Sequence, residues 1–409
     1  MTDTITDRTA SGAAAPALDY TLFDADNHYY EATDAYTRHI SPTMAKRAMQ
    51  WAEVDGRLRL LVGGRVNRFI PNPTFDPVAK AGSLDEYFRG RNPHDKDMRS
   101  LFGDLEPIHA EYRDRDARLA VMDRQGLNGC FLFPTLGVGM EEALAHDPEA
   151  LVAAFHAFNL WLDEDWGYAY KERIFAAPMI TLVDVDAAVA ELDEVLARDA
   201  RIVCIKGGPA HTPLGLTSPG NARFDPFWAR INEAGVTVGI HSGDAGYGRY
   251  VDDWESFGEM EAFRYGPLRI VLTSDRPSFE TMAALVCHGV FDRFPNVRVA
   301  TIESGCEWVL NLNKKLTKVY GQLSDSFPSD PMDTFRQHVW VAPYPEDDIA
   351  SVKDVIGVDH LLFGSDWPHA EGLAEPRTFA EDLRRQGFDE DEIRTVMTEN
   401  GRQLTVRTP

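Results

Sequence analysis

The chain has 409 residues, of which 44% are hydrophobic and 26% are charged, a composition typical of a globular protein with a large core. Its formal net charge of −24 argues against nucleic acid and anionic membranes as partners, because such a surface repels phosphate groups. No run approaches the roughly 18 apolar residues of a membrane span, and four cysteines without a CxxC pair indicate a reduced, cytoplasmic protein.

The first part of the chain predicts one strand between two irregular segments. Residues 1–18, rich in Thr and Ala, are predicted to be a disordered leader before a single domain at 19–409. An apolar strand follows at 20–28. Residues 32–115 show no clear period and are rich in Pro, Gly, Arg and aromatic residues. Because ordinary connections are much shorter, we predict a partly helical insertion here that covers the functional face as a lid.

Beyond residue 115, short apolar strands alternate with helical segments. The predicted strands are 129–135, 173–182, 201–207, 236–243, 297–305, 338–344 and 360–366, and the helices are 115–126, 147–166, 185–199, 225–235, 278–293, 306–322, 346–356 and 376–405. With the strand at 20–28 this makes eight strands. Regular alternation indicates an α/β fold, and the absence of any glycine-rich nucleotide motif favours a closed (β/α)8 TIM barrel over an open sheet.

Side chains that bind metals recur where these strands end. Strand 1 ends in DADNH, where alternation is expected to turn Asp24, Asp26 and His28 to one face. Strand 5 ends in GIHSGD, with His241, and strand 8 ends in LFGSD, with Asp366. Active sites of such barrels lie at the carboxyl ends of the strands, so we expect these groups to converge.

Two imidazoles with carboxylates form a normal donor set for Zn, Mn or Fe(II). We therefore predict one divalent ion, Zn in preference to Mn, held by Asp26, His28, His241 and Asp366. Such an ion would also neutralise carboxylates that otherwise repel each other. In contrast, the positions of His288, His338 and His360, on a helix or at strand starts, predict structural roles.

At these residues the sequence resembles the amidohydrolase superfamily, in particular the branch that contains aminocarboxymuconate-semialdehyde decarboxylase. The matching elements are DADNH at 24–28, GIHSGD at 239–244, HGVFDRFPNVRVATIESG at 288–305 and LLFGSDWPHAEG at 361–372. The resemblance implies a single metal at the barrel mouth and a homodimer. It also implies that Asp366 binds the metal and relays protons.

The chain departs from the family pattern at two strand ends. The H-x-H pair of strand 1 reads Asp26-x-His28, and Glu303 stands where many relatives have a histidine after strand 6. Glu303 can then be a general base, an extra ligand or a structural residue. Asp366, Glu303 and His241 are the predicted catalytic residues.

Substrate contacts are expected from Lys206, Trp367, His369 and Arg249. Lys206 ends strand 4 and can pair with the site carboxylates or bind a substrate anion, while His369 and Glu371 can orient Asp366. Four arginines in predicted loops are candidates for clamping a carboxylate: Arg68, Arg249, Arg264 and Arg276.

Three functions are compatible with these residues. The first is a metal-dependent, non-oxidative decarboxylase of a small aromatic or unsaturated carboxylic acid. The second is a metal-dependent hydrolase of an ester, lactone or amide, which would use the same ligands. The third is a barrel that binds a ligand without catalysis.

Overall fold

A computed structural model describes residues 18–90, 98–255 and 266–408. The predicted leader, apart from Leu18, and Arg264 lie outside these residues. Within the described part, the strands of a parallel ring are β1 (Leu22–Tyr29), β2 (Leu127–Pro134), β3 (Ile174–Ala176, continued by Met179–Ile180), β4 (Ile202–Lys206), β5 (Thr237–His241), β6 (Arg298–Ile302) and β7 (Val339–Val341).

The ring is a (β/α)8 barrel closed by an extended segment at 361–366. β1, β2 and the first part of β3 pair in parallel, and the second part of β3 continues through β4, β5 and β6 to β7. Leu362 N donates to Val341 O at 2.8 Å, and Ala25 N donates to Phe363 O at 2.7 Å. The eighth position therefore links β7 to β1.

Two predicted strands are less regular than expected. The strand predicted at 173–182 is divided at Ala177 and Pro178, because proline has no N–H for the ladder. The strand predicted at 360–366 pairs through isolated bridges and not as a continuous strand. Both departures lie in the barrel wall, and neither interrupts the order of the ring.

The barrel helices follow the predicted order. They are Arg115–Gln125, Pro148–Asp165, Val185–Ala197, Asp225–Ala234, Arg276–Cys287, Trp308–Gln322, Ile349–Ile356 and Phe379–Arg385. Asp114 and Asp184 cap helix starts with their side chains. Gly126 and Gly235 end helices in the left-handed conformation that favours glycine.

Two predicted helices are interrupted. The helix predicted at 278–293 ends at Cys287, and a short helix, Val290–Arg293, follows Gly289 (φ 65°). The long helix predicted at 376–405 is divided at Gly387 (φ 85°): Phe379–Arg385 precedes it, and Glu390–Arg394 continues through a π-helical turn, Thr395–Glu399, into Asn400–Gln403. A left-handed glycine cannot continue a helix, and this explains both breaks.

The insertion contains a sheet that the sequence analysis missed. Met49–Val54, Arg57–Val62 and Arg65–Val66 form three antiparallel strands. Among the described residues its helices are limited to Pro42–Ala45, Asp85–Phe88, Met98–Leu101 and the 3-10 helix Ala110–Tyr112. The missed signal is Asp55–Gly56 between apolar runs, which predicts a tight hairpin. Gly82 N and Leu84 N donate to His369 O and Ala370 O, so the insertion is fastened to the loop after the eighth segment.

The barrel interior is filled by aromatic side chains below the carboxyl ends of the strands. Phe23, Phe131 and Phe175 are buried there, and the rings of Phe23 and Phe131 meet edge to face at 5.1 Å. All four cysteines are free, and Cys287 alone is exposed. No helix in the described ranges is long and apolar enough to cross a membrane.

Candidate metal centre

The carboxyl ends of β1, β5 and the eighth segment bring the predicted ligands together. His28 Nε2 lies 3.2 Å from Asp26 Oδ1 and 3.4 Å from Asp366 Oδ1. His241 Nε2 lies 3.1 Å from His28 Nε2 and 3.4 Å from Asp26 Oδ1. All four side chains are buried, and His28 Nε2 lies within 3.4 Å of a donor atom of each of the other three.

A bulge in β1 aims these ligands and corrects one prediction. Asp24 pairs with Cys130 and Asn27 with Leu132, so three steps along β1 match two along β2. Asp24 therefore does not share the face of Asp26 and His28, contrary to simple alternation. Its carboxylate accepts hydrogen bonds from Ser365 N at 2.9 Å and Ser365 Oγ at 2.6 Å.

Glu303 follows β6 and reaches the same cluster. Its Oε2 lies 3.4 Å from His241 Nε2 and 3.9 Å from His28 Nε2. Its side chain is 22% exposed, against 5% for Asp26 and 12% for Asp366, so it faces the open side of the cluster. Glu303 and Asp366 both have positive φ, 51° and 53°. Such strained backbone is held where the surrounding structure fixes a functional side chain.

The donor set fits a divalent metal ion. Asp26 Oδ1 and Asp366 Oδ1 are buried and face imidazole nitrogens of His28 and His369, at 3.2 and 2.6 Å, without the geometry of a hydrogen bond. Such an arrangement is costly unless a cation or another group satisfies the two oxygens. Burial and the neighbouring carboxylates raise the pKa of Glu303 and of Asp366 well above the usual range. Burial raises the pKa of Asp26 too, but the imidazoles of His241 and His28 outweigh it and leave the pKa low. A cation at this point would remove the repulsion between the carboxylates.

His369 lies behind Asp366. Its Nδ1 is 2.6 Å from Asp366 Oδ1, its Nε2 is 2.8 Å from Thr135 Oγ1, and its ring packs on His28 at 4.1 Å. His369 thus contacts a predicted ligand, forms with His28 and Asp366 a second group of side chains that could hold a metal ion, and does not line the cavity. Glu371 brings a carboxylate oxygen within 4.8 Å of those of Glu303 and Asp366.

A cavity of about 380 Å³ opens beside the ligands. Its wall is acidic and contains eight carboxyl side chains. Four belong to the residues described above, and four more lie farther along the wall: Asp26, Glu303, Asp366 and Glu371, then Asp85, Glu141, Asp244 and Glu346. Among the described residues, its permanent cations are Lys206 and Arg269.

The predicted substrate contacts fall in different places. Lys206 lines the cavity, but its ammonium group lies 3.4 Å from Glu142 Oε2, so it does not pair with the site carboxylates. Trp367 packs outside the barrel against Tyr112, and the guanidinium of Arg249 stacks on Tyr247 and Tyr250. Trp367 and Arg249 are absent from the cavity wall.

Other histidines lie where structural roles were expected. His338 Nδ1 and His360 Nδ1 face the carbonyls of Val297 and Val339 at strand starts, and His288 pairs with Ser218. Sequence reasoning missed two arginines, Arg269 in the cavity wall and Arg118 behind β1. Neither lies at a strand end or in a motif, and only the tertiary fold reveals them.

Gly364 is required by the close approach of the eighth segment to Asp26. A Cβ at Gly364 would lie 2.6 Å from Asp26 Cβ, whereas one at Gly321 would meet nothing within 4 Å. We expect Gly364→Ala to cost about 1–3 kcal/mol of stability and to weaken metal binding. Gly321→Ala, in a helix, should be neutral or stabilise by up to about 1 kcal/mol. Thermal melts and metal titrations of both variants test this, and equal behaviour would contradict it.

Comparison with known proteins places this site in context. The model of a family described as amidohydrolase matches residues 107–404. An amidohydrolase of known structure from Mycobacterium avium subsp. paratuberculosis K-10 is 46% identical, over 95% of this chain and 100% of that one, with a TM-score of 0.90. Among curated proteins, none matches the chain.

More distant structures share the fold. A dihydroxybenzoic acid decarboxylase from Polaromonas sp. JS666, solved with manganese and the inhibitor 2-nitroresorcinol, is 17% identical over 79% of this chain and 93% of that one (TM-score 0.53). A 5-carboxyvanillate decarboxylase from Sphingomonas paucimobilis is 16% identical over 95% of this chain and 99% of that one (TM-score 0.55). At this identity the likeness concerns architecture.

Proposed function

The chain belongs to the amidohydrolase family, and from this premise we propose that it is a metal-dependent, non-oxidative decarboxylase of a small aromatic or unsaturated carboxylic acid. Distant relatives with the same fold include decarboxylases of aromatic acids, which supports this choice of reaction. The homodimer and the cytoplasmic location predicted from the sequence remain part of the proposal.

Asp26, His28, His241 and Asp366 would hold the metal. When bound, a divalent ion supplies a Lewis acid that polarises substrate oxygens. Zn is preferred for two imidazoles with carboxylates, and Mn, which one of the distant relatives contains, is the alternative.

The position of Glu303 carries the proposal. Its carboxyl group stands between the imidazole of His241, at 3.4 Å, and the cavity. In decarboxylation the bond between the ring or vinyl carbon and the carboxylate breaks, and the electron pair stays on that carbon. A protonated Glu303 donates its proton to the carbon as CO2 leaves. Asp366, oriented by His369, lies beside it as the second proton-carrying group.

The cavity wall suggests how an acid is recognised. Most charged groups in the wall are carboxylates, which repel an anionic substrate. A substrate carboxylate would therefore be bound by the cations of the wall. Of the four residues predicted to bind substrate, Lys206 keeps that role in this proposal because it lines the cavity. Arg269 joins it as the second cation.

Hydrolysis of an ester, lactone or amide is the second candidate. The observation that favours it is also Glu303, since a carboxylate facing the cavity beside a metal centre can act as a base toward water. The non-catalytic barrel is a third possibility, although strained, converging polar side chains at Glu303 and Asp366 are costly to keep without a function.

Product analysis separates these functions. We expect the metal-loaded protein to release CO2 from a member of a panel of hydroxybenzoates and unsaturated acids, without 18O from water in the remaining product. Glu303→Gln should lower kcat by about 100-fold or more, the contribution of a positioned acid or base. Glu346→Gln, at an exposed acid of the same wall, is the control and should change kcat little. Incorporation of 18O from labelled water into the product of an ester or lactone, without release of CO2, would support the hydrolase. No turnover with no bound metal would support the binding barrel.

A further inference from the structure

A buried arginine stands directly behind the metal centre. Arg118, on helix Arg115–Gln125, is 0% exposed. Its Nη2 donates to His28 O at 2.7 Å, its Nε donates to Glu111 O at 2.8 Å, and its Nη1 donates to Asn27 Oδ1. The guanidinium therefore holds the backbone of one predicted ligand and the side chain next to it.

Asn27 extends this contact to the other side of the site. Its Nδ2 donates to Asp24 Oδ2 at 2.9 Å, and Asp24 in turn accepts hydrogen bonds from the backbone and hydroxyl of Ser365. Ser365 directly precedes Asp366. A continuous, buried chain of hydrogen bonds thus runs from Arg118 through Asn27 and Asp24 to Ser365.

The same chain fixes the two segments that carry three of the four ligands. Asp366 N donates to Asp26 O and His28 N donates to Trp367 O, both at 2.8 Å, across the seam that closes the barrel. The guanidinium also lies 4.6 Å from the centre of the Trp367 ring. Arg118 therefore contacts both sides of the seam, at His28 and at Trp367.

Burying the charged guanidinium of Arg118 is not explained by a gain in stability. Burial lowers the pKa of Arg118 to about 10, and among the described residues no carboxylate forms an ion pair with its guanidinium. Removing a charge from water costs several kcal/mol, and a hydrophobic side chain of similar size is often as stable. What a hydrophobic side chain cannot do is fix the carbonyl of His28 and the amide of Asn27 at once.

We propose that Arg118 is a positioning residue for the metal centre, which sets the spacing of Asp26, His28 and Asp366 through the Asn27–Asp24–Ser365 chain. This inference rests on the metal site of the proposed function but not on the reaction. Groups that orient metal ligands typically contribute 10- to 100-fold to metal affinity.

Cobalt binding tests this role. The protein is loaded with Co2+, and its visible absorption spectrum, its Co2+ dissociation constant and its melting temperature are measured for wild type, Arg118→Lys and Arg118→Met. We expect Arg118→Met to weaken Co2+ binding by about 10- to 100-fold and to alter the absorption bands. Arg118→Lys keeps the positive charge but not the several N–H donors of the guanidinium, so its Co2+ affinity should lie between those of the wild type and Arg118→Met.

A matched control is available at the other end of the barrel. Arg298 also donates to backbone carbonyls, those of Gly235 and Val406, so Arg298→Met should lower the melting temperature but leave the Co2+ spectrum and affinity unchanged. If Arg118→Met does not fold, Ser365→Ala removes one link of the same chain and should shift the spectrum. Three results would overturn the proposal. The first is an unchanged Co2+ spectrum and affinity in the folded Arg118 and Ser365 variants, and the second is a spectral shift of equal size in Arg298→Met. The third is the absence of Co2+ binding by the wild type. A protein that binds Co2+ as expected but releases no CO2 would overturn the proposed reaction alone.

Discussion

Replacing His241 with alanine is expected to abolish stoichiometric metal binding and to reduce activity at least 100-fold. His241 Nε2 lies within 3.4 Å of His28, Asp26 and Glu303, so the alanine variant loses a donor atom from the middle of the proposed ligand set. A four-ligand zinc site contributes about 10–16 kcal/mol, so one ligand accounts for about 3 kcal/mol, or more than a hundredfold in affinity. Metal content after dialysis and a Co2+ titration measure this loss.

His360→Ala is the control for this variant. His360 is also an imidazole in the barrel wall, with Nδ1 3.0 Å from Val339 O and its ring against Trp340, but it lies at the start of the eighth segment. It should keep one equivalent of metal and most of the activity. If His241→Ala retains the metal content and activity of the wild type, the metal centre described here is wrong.

The proximity of the predicted ligands could be predicted from the sequence because it depends on local rules. Strand–helix alternation gives the barrel, and the barrel makes the strand ends meet, so His241 and Asp366 are predicted to converge although 125 positions separate them. The strand 1 motif was only partly predictable. Alternation predicts Asp24 beside Asp26, but the bulge of β1 turns Asp24 toward Ser365. A bulge depends on the partner strand, which the sequence of β1 does not encode.

Partners brought from distant elements could not be predicted. Lys206 was expected to pair with the site carboxylates or to bind a substrate anion, and the partner that the structure gives its ammonium group is Glu142, on a short helix 64 positions earlier. Arg118 has the sequence context of an ordinary helix residue, and nothing in RDARLAVMDRQ distinguishes it from Arg115 or Arg124. Only the tertiary packing of that helix, which brings the side chain of Arg118 to the backbone of β1, makes one arginine of the three buried. Long side chains are thus the least predictable part of the site, since their contacts depend on tertiary structure.

Arg269 is expected to decide whether the cavity accepts an acid. It is 5% exposed, lies on helix Pro267–Thr273 and lines the cavity. Because the wall contains eight carboxyl side chains, a carboxylate substrate needs a cation close to it. A hydrogen bond from a charged donor is worth about 1.5–3 kcal/mol, or about 10- to 150-fold in binding. Arg269→Met should therefore raise KM for a carboxylic acid substrate by that factor and leave binding of the matching neutral phenol unchanged.

The comparison with Arg249→Met makes this result specific. Arg249 comes from the same loop region after β5, but its guanidinium stacks on Tyr247 and Tyr250, and Arg249 itself does not line the cavity. Its replacement should leave KM for the acid within about twofold of wild type, since surface substitutions usually change free energies by less than about 0.5 kcal/mol. KM for an acid and the dissociation constant for its phenol, measured on both variants, separate the two arginines. If both variants raise KM equally, or if Arg269→Met weakens the phenol as much as the acid, Arg269 acts through the shape of the cavity and not through charge.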